Sequence, residues 1–276
     1  MKKLSVLFAL LLSFMLILSA CGTSNNDTTK DKKNDNQSAS KDKDLLAKIK
    51  ADGKILIGTE GTYAPFTFHD KSGKLTGFDV EVATEVAKRL GVTPEFKETQ
   101  WDAMFAGLDA KRFDVVANEV GIRPDRQEKY DFSDPYITSS AVLIVRKDNN
   151  KVKKFEDLKG LKSAQSMTSN YADIARKYGA DIVSVPGFNE SIDLLGANRV
   201  DATVNDKISF LDYKKQKPDA PVKIAATSAD ASKSGFMFRK DNQTLVDAVN
   251  KALNDMISDG TYKKISEKWF GEDVLK

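Results

Sequence analysis

FDVVANEVGIRPDRQEKYDFSDPY, residues Phe113 to Tyr136, sets a short apolar run directly before a polar loop. Val115, Val116 and Ala117 read as a buried strand of a parallel sheet, where both faces are covered and alternation disappears. Asn118, Glu119, Gly121 and Pro124 follow at once. A buried strand that ends in such a loop is where α/β folds place ligand sites. Arg126 comes next, with a planar fork of donors that matches a carboxylate. Asp131 to Tyr136 (DFSDPY) then leads into a second apolar run, Ala141 to Val145.

The same alternation of short apolar strands and amphipathic helices continues outward. Ile55–Gly58 reads as a strand. Asp79–Leu90 reads as a helix with Val82, Val86 and Leu90 on one stripe and Asp79 near the cap. Trp101–Leu108 carries Met104, Phe105 and Leu108 at helical spacing. Beyond the central run, strands are expected at Lys162–Gln165, Ile182–Val185, Ala202–Asn205 and Phe236–Phe238. Helices are expected at Tyr171–Lys177, around Ile192–Leu195, and at Leu245–Ile257, which Gly260 stops. The pattern is α/β, and strands alternating with helices imply parallel sheets covered on both faces.

The N-terminal end has a different character. Lys2 and Lys3 precede the apolar run Leu4–Leu18, and Leu18-Ser19-Ala20-Cys21 follows. This is the pattern of a secretory signal, residues 1–20, closed by a lipoprotein cleavage box with Cys21 as lipid acceptor. Residues 22–44 are nearly devoid of apolar side chains and read, with Cys21, as a lipidated flexible tether. Cys21 is the only cysteine, which excludes an internal disulfide and a cysteine-rich metal site. The lone histidine, His69, sits beside Asp70 in an expected exposed turn and cannot build a His-rich site. The chain carries 43 basic and 40 acidic side chains, and residues 1–20 hold two lysines and no acids. The balance that remains gives no support for a nucleic-acid partner.

The Arg126 segment, DFSDPY, and the loop Glu60-Gly61-Thr62-Tyr63-Ala64-Pro65-Phe66 together resemble the amino-acid-binding subset of bacterial solute-binding proteins. Gly73–Asp79 matches a stretch of that family whose role is a turn feeding a helix. The resemblance covers nearly all of 45–276 and implies the two-lobe, type II periplasmic-binding-protein fold with ligand in the interlobe cleft. Lobe one would comprise 45–137 plus 235–276 and lobe two 138–234, joined by a hinge with two crossings. It further implies a monomer without a cofactor or metal that hands an amino acid to a membrane permease driven by a cytoplasmic ATPase, an ABC importer.

By the same resemblance, Arg126 would grip the α-carboxylate, helped by Thr168 and Ser169 at a helix start, where backbone amides favour an anion. Asp206 would hold the α-ammonium, or cap the helix beginning near Ile208, or both. Tyr63 and Trp101 would supply flat apolar walls, with Phe66 in the core. Glu119 and Gly121 align with positions giving backbone or hydroxyl contacts, although relatives place Ser or Thr where this chain has Gly121. Glu60-Gly61-Thr62-Tyr63, Asn118-Glu119-Val120 and Thr168-Ser169-Asn170-Tyr171 look most like the L-cystine-binding branch. Glu60 or Gln165 would meet the outer end of that long ligand, and Gly121 would leave room for it. Two other readings stay open: a dehydratase-like enzyme on the same scaffold, with Glu60 or Glu119 as general acid, and a sensor module using the same pocket.

Overall fold

The computed structural model describes residues 44–275; the signal segment, Cys21 and the tether lie outside the described residues. The chain opens with α1 (Leu45–Asp52), β1 (Lys54–Thr59), the short strands β2 (Thr62–Tyr63), β3 (Thr67–His69) and β4 (Leu75–Thr76), and α2 (Phe78–Leu90). It continues through β5 (Thr93–Glu98), α3 (Trp101–Asp109), β6 (Val115–Val116), α4 (Pro124–Gln127) and β7 (Tyr130–Phe132). The middle of the chain holds β8 (Ile137–Arg146), β9 (Lys162–Gln165), α5 (Asn170–Lys177), β10 (Asp181–Ser184), α6 (Phe188–Gly196), β11 (Ala202–Asp206), α7 (Lys207–Gln216) and β12 (Val222–Ser234). It ends on β13 (Met237–Arg239), α8 (Gln243–Ser258) and α9 (Thr261–Phe270).

Two five-stranded sheets result, each the floor of one lobe. The first has the order β5-β1-β6-β13-β7 and the second β10-β9-β11-β8-β12. The expectation of parallel sheets holds only in part. β1 pairs in parallel with β5 and β6, and β9 with β10 and β11, but β13 runs antiparallel to β6 and β7. β8 is likewise antiparallel to both β11 and β12. The physical reason is the double crossing. A chain that leaves one sheet through β7–β8 and returns through β12–β13 brings those strands back in the opposite sense.

The two crossings lie side by side and share hydrogen bonds. Tyr136 N–H donates to Ser234 O at 2.9 Å, and Ser133 N–H to Phe236 O at 3.0 Å. Ile122 N–H reaches Lys233 O at 2.8 Å, and Gly235 N–H reaches Val120 O at 3.1 Å. The loop after β6 is therefore stitched to the hinge itself.

Helix α2 begins at Phe78, one residue before Asp79, with Gly77 in the cap position at φ 131°. Only glycine fits there, because a Cβ would fall 2.1 Å from Phe66 O. Asp79 is thus not a cap. Its side chain turns inward, fully buried, towards the loop after β6. The final helix α9 escapes sequence reading because Gly260 ends α8 and at once caps the next helix in the left-handed conformation. Its Tyr262 and Phe270 pack on Phe78 of α2. The small sheet β2-β3-β4 was also invisible as strands, being only two or three residues each. His69 lies on β3 and is exposed, facing Glu98 at 3.2 Å.

Phe113 enters the first lobe between β1 and α3, against two glycines. A Cβ at Gly107 would sit 2.7 Å from the Phe113 ring, and one at Gly58 would sit 2.6 Å from it. Alanine in a helix interior normally stabilises by about 0.5–1 kcal/mol over glycine, whereas overpacking a filled core costs about 1–3 kcal/mol. Overpacking is the larger effect here. Gly107→Ala is expected to lower the urea midpoint, and to do so less in a Phe113→Leu background. A raised midpoint would show that the ring yields freely.

Candidate ligand-binding site

The cleft is built from loops at the carboxyl ends of β1, β6, β9 and β11. The β1 loop supplies Glu60 and Tyr63, and the β6 loop Asn118, Glu119 and Gly121. Trp101 starts α3 and Arg126 lies on α4. From the second lobe, Gln165 ends β9, Ser166–Ser169 join it to α5, and Asp206 ends β11. Glu60, Tyr63, Trp101, Glu119, Gln165 and Ser169 line a small cavity of about 40 Å³, whereas Arg126, Gly121, Thr168 and Asp206 are not among its lining residues. Sequence reading missed Asn205, Asn170, Tyr171 and Phe188, which also line it. Asn205 adjoins Asp206 and Tyr171 lies two positions past Ser169, and only their side-chain direction sets them in the cavity.

Arg126 is 6% exposed, yet none of the described carboxylates pairs with it. Its Nη1 donates to Gly121 O at 3.0 Å and its Nη2 reaches Thr168 O at 3.5 Å. The guanidinium carbon lies 5.4 Å from the Trp101 ring centre and 5.3 Å from that of Phe105. Burial, and then the neighbouring Arg123 charge, lowers its pKa to about 10. It remains a cation at neutral pH, desolvated and short of an anion, the state that favours capture of a carboxylate. A Cβ on Gly121 would lie 3.5 Å from Arg126 Nη1, ordinary contact, so a small side chain would fit.

Asp206 does both things its position allows. Oδ1 accepts from Ile208 N–H at 2.7 Å and Ser209 N–H at 3.3 Å, capping α7. Oδ2 faces the cleft, 3.5 Å from Tyr171 Oη. Ser169 caps α5 by accepting from Ala172 N–H at 3.0 Å. Thr168 faces across the cleft to Asp102 rather than to Arg126, through its hydroxyl at 2.7 Å and its amide at 3.0 Å. Gln165 donates to Ser163 Oγ at 3.0 Å. Glu60 is locked to Asn118, whose Nδ2 donates to Glu60 Oε2 at 2.6 Å. Burial raises Glu60 to about 7 against that hydrogen bond.

Contacts spanning the cleft show that the lobes are closed. Beyond Asp102–Thr168, Tyr63 Oη donates to Asn205 Oδ1 at 3.0 Å, Arg123 pairs with Asp173 at 2.8 Å, and Ser209 Oγ donates to Ala64 O at 3.1 Å. A cation receptor, a carboxylate-rich corner and aromatic walls enclosed between two lobes suit a zwitterion.

The sequence pattern of the bacterial extracellular solute-binding proteins, family 3, matches residues 55–272. The chain belongs to this family. Family membership places it outside the cytoplasm, as the family description states. The L-cystine-binding protein TcyA of Bacillus subtilis (strain 168) is 53% identical over 273 residues, covering 97% of this chain and 99% of the relative. Among solved structures, an ancestral arginine-binding protein bound to arginine is 40% identical with a TM-score of 0.75, covering 79% of this chain and 98% of that one. The L-cystine solute receptor of Neisseria gonorrhoeae in the unliganded open conformation is 49% identical, covering 83% and 98%, yet its TM-score is 0.56. The more similar sequence gives the poorer superposition. A closed cleft here against an open one there accounts for that inversion. The relatives bear out the solute-binding family, the two-lobe fold and the likeness to cystine binders that the sequence motifs implied.

Behind the cavity, Asp79 Oδ2 accepts from Glu119 N–H at 2.6 Å, and the buried Tyr136 hydroxyl faces the same carboxylate. Burial raises Asp79 from 3.8 to about 7, against that hydrogen bond. The folded state therefore holds the proton more tightly than the unfolded chain, and stability from this group falls as pH climbs from about 4 to 7. Asp79→Asn is expected to flatten that limb in urea unfolding followed against pH. An unchanged slope would mean that Asp79 stays ionised throughout.

Proposed function

We propose that this chain is the extracytoplasmic substrate-binding component of an amino-acid ABC importer, that its ligand is L-cystine, and that it passes the ligand to a membrane permease coupled to an ATPase. The observation that carries the proposal is Arg126, a buried guanidinium without a carboxylate partner among the described residues, packed on Trp101, which lines the same cavity as Glu119 and Tyr63. A free α-amino acid presents the complementary pair of charges. The identity to a named L-cystine-binding protein along almost the whole chain supports the choice of ligand.

On this reading Arg126 takes one α-carboxylate, with Ser169 and the start of α5 beside it. Asp206 takes the α-ammonium. The disulfide of L-cystine packs on Tyr63 and Trp101, since sulfur contacts aromatic rings favourably. Trp101 also offers a buried indole N–H with no partner among the described residues. Glu60 and Gln165 meet the second zwitterionic end. The lobes, 45–137 with 235–276 and 138–234, close on the ligand because only the closed state makes both sets of contacts. Cys21 carries the lipid that holds the protein at the membrane, and the chain works as a monomer without catalysis.

Calorimetric titration tests this directly. The purified protein, stripped of carried-over ligand by unfolding and refolding, is titrated with L-cystine and the common amino acids. One-to-one binding of L-cystine in preference to the rest is expected. Arg126→Ala is expected to weaken binding by at least 100-fold while leaving the urea midpoint of the unliganded protein nearly unchanged. Preference for another amino acid would discard L-cystine and keep the binding role. Turnover of a prephenate-like acid would replace the binding role with a dehydratase.

A further inference from the structure

Glu119 and Asp206 come from opposite lobes and converge on one hydroxyl group. Glu119 Oε1 and Asp206 Oδ2 each lie 3.5 Å from Tyr171 Oη. Glu119 Oε2 accepts from Tyr63 Oη at 3.2 Å, and that hydroxyl is shared with Asn205 Oδ1 at 3.0 Å. Ser234 Oγ, on the returning hinge strand, lies 3.5 Å from Glu119 Oε1. Tyr63, Tyr171 and Ser234 bring one proton each to the oxygens of Glu119, Asp206 Oδ2 and Asn205 Oδ1, and the Ser139 hydroxyl adds a fourth beside Asp206. The corner's side-chain donors are all neutral hydroxyls, and no lysine or arginine pairs with either carboxylate among the described residues.

The backbone holds Glu119 in this place at a cost. It is a non-glycine residue at φ 48°, a conformation that side chains other than Asn, Asp and Gly rarely adopt. The buried Asp79 carboxylate, accepting from Glu119 N–H at 2.6 Å, fixes that turn. A strained backbone that points a carboxylate at another carboxylate is the mark of a functional constraint.

We propose that Glu119 is a ligand-binding carboxylate, which shares the α-ammonium with Asp206, and that repulsion between the two keeps the cleft open until a cation arrives. The proposal rests on the amino-acid-binding reading of the site. In the open state the lobes part and water solvates both groups. In the closed state each loses that water beside a like charge. An ammonium brings three N–H donors and one positive charge to a corner that holds two carboxylates and no cation. A neutral or anionic ligand cannot do this, so closure itself selects for an amino group.

The groups that face Glu119 set the pH response. They are Asp79 from α2, Tyr63 from β2, Tyr171 from α5, Asp206 from β11 and Ser234 from β12. None is a cation, and burial raises Asp79 to about 7 and Asp206 to about 6, so these carboxyls titrate in the same range. Burial, and then the charges of Asp206 and Asp79, raises Glu119 well above the usual carboxylate range in the closed form. Acidification therefore favours closure without ligand.

Closure is read without any ligand by the radius of gyration in small-angle X-ray scattering of the stripped protein, from pH 8 to pH 5. Wild type is expected to be open at pH 8 and to shift towards the closed radius as pH falls. Glu119→Gln is expected to be more closed at pH 8 and to lose most of the shift. Asp206→Asn, which keeps a capping oxygen on α7, is expected to do the same, and the double variant to add little. L-cystine titration of Glu119→Gln is expected to show at least tenfold weaker binding. A wild-type radius that ignores pH, or a Glu119→Gln protein that is as open as wild type and binds equally well, would overturn the proposal. Failure of wild type to bind L-cystine, with the ligand-free pH shift intact, would overturn the ligand assignment and leave the carboxylate pair standing.

Discussion

Charge buried without a partner is the constraint around which the cleft is organised. Arg126 lies beneath Trp101 and Phe105 and hydrogen-bonds only to carbonyl oxygens, and Glu119 and Asp206 have hydroxyl and amide donors but no cation beside them among the described residues. A buried ion left unpaired costs several kcal/mol. The protein does not remove this cost by pairing Arg126 with Glu119. Instead, the aromatic walls and the Asp79 anchor keep the cation and the carboxylates apart. What a stable core would neutralise internally, this cleft leaves for a ligand to neutralise.

The fold makes that separation possible. Every polar loop at the cleft sits at the carboxyl end of a strand, where parallel packing leaves the backbone free to face outward. The hinge then turns one continuous chain into two facing platforms. The loop carrying Glu119 and Gly121 is hydrogen-bonded to the returning hinge strand at Lys233 and Gly235. Motion of the hinge and placement of the ligand-facing carboxylate are therefore mechanically linked.

The interlobe contacts divide by strength. Arg123–Asp173 and Asp102–Thr168 lie at the exposed rim, where solvent screens them and each contributes little. The contacts through Tyr63, Tyr171 and Asp206 are buried, where each hydrogen bond counts for more. The rim can latch a closed state but cannot choose a ligand. On the proposed reading the buried corner does the choosing, because its demand for positive charge is met only by a group of the right chemistry.

Much of this was legible in the residues. Val115–Ala117 followed by Asn118, Glu119 and Arg126 specified a buried strand with a ligand loop, because apolar runs and turn residues act locally. The stripe on α8 and the Asp206 cap were local signals of the same kind. Family likeness in the quoted motifs added the two-lobe arrangement, which no local pattern encodes. Tertiary structure alone decided the rest. It turned Asp79 from an expected cap into a buried anchor, sent Thr168 to Asp102, and reversed β8, β12 and β13 through the double crossing. It also brought Glu119 from one lobe against Asp206 from the other, 87 positions along the chain. Charges so distant in sequence carry no local signature, and their repulsion exists only once the fold has closed around them.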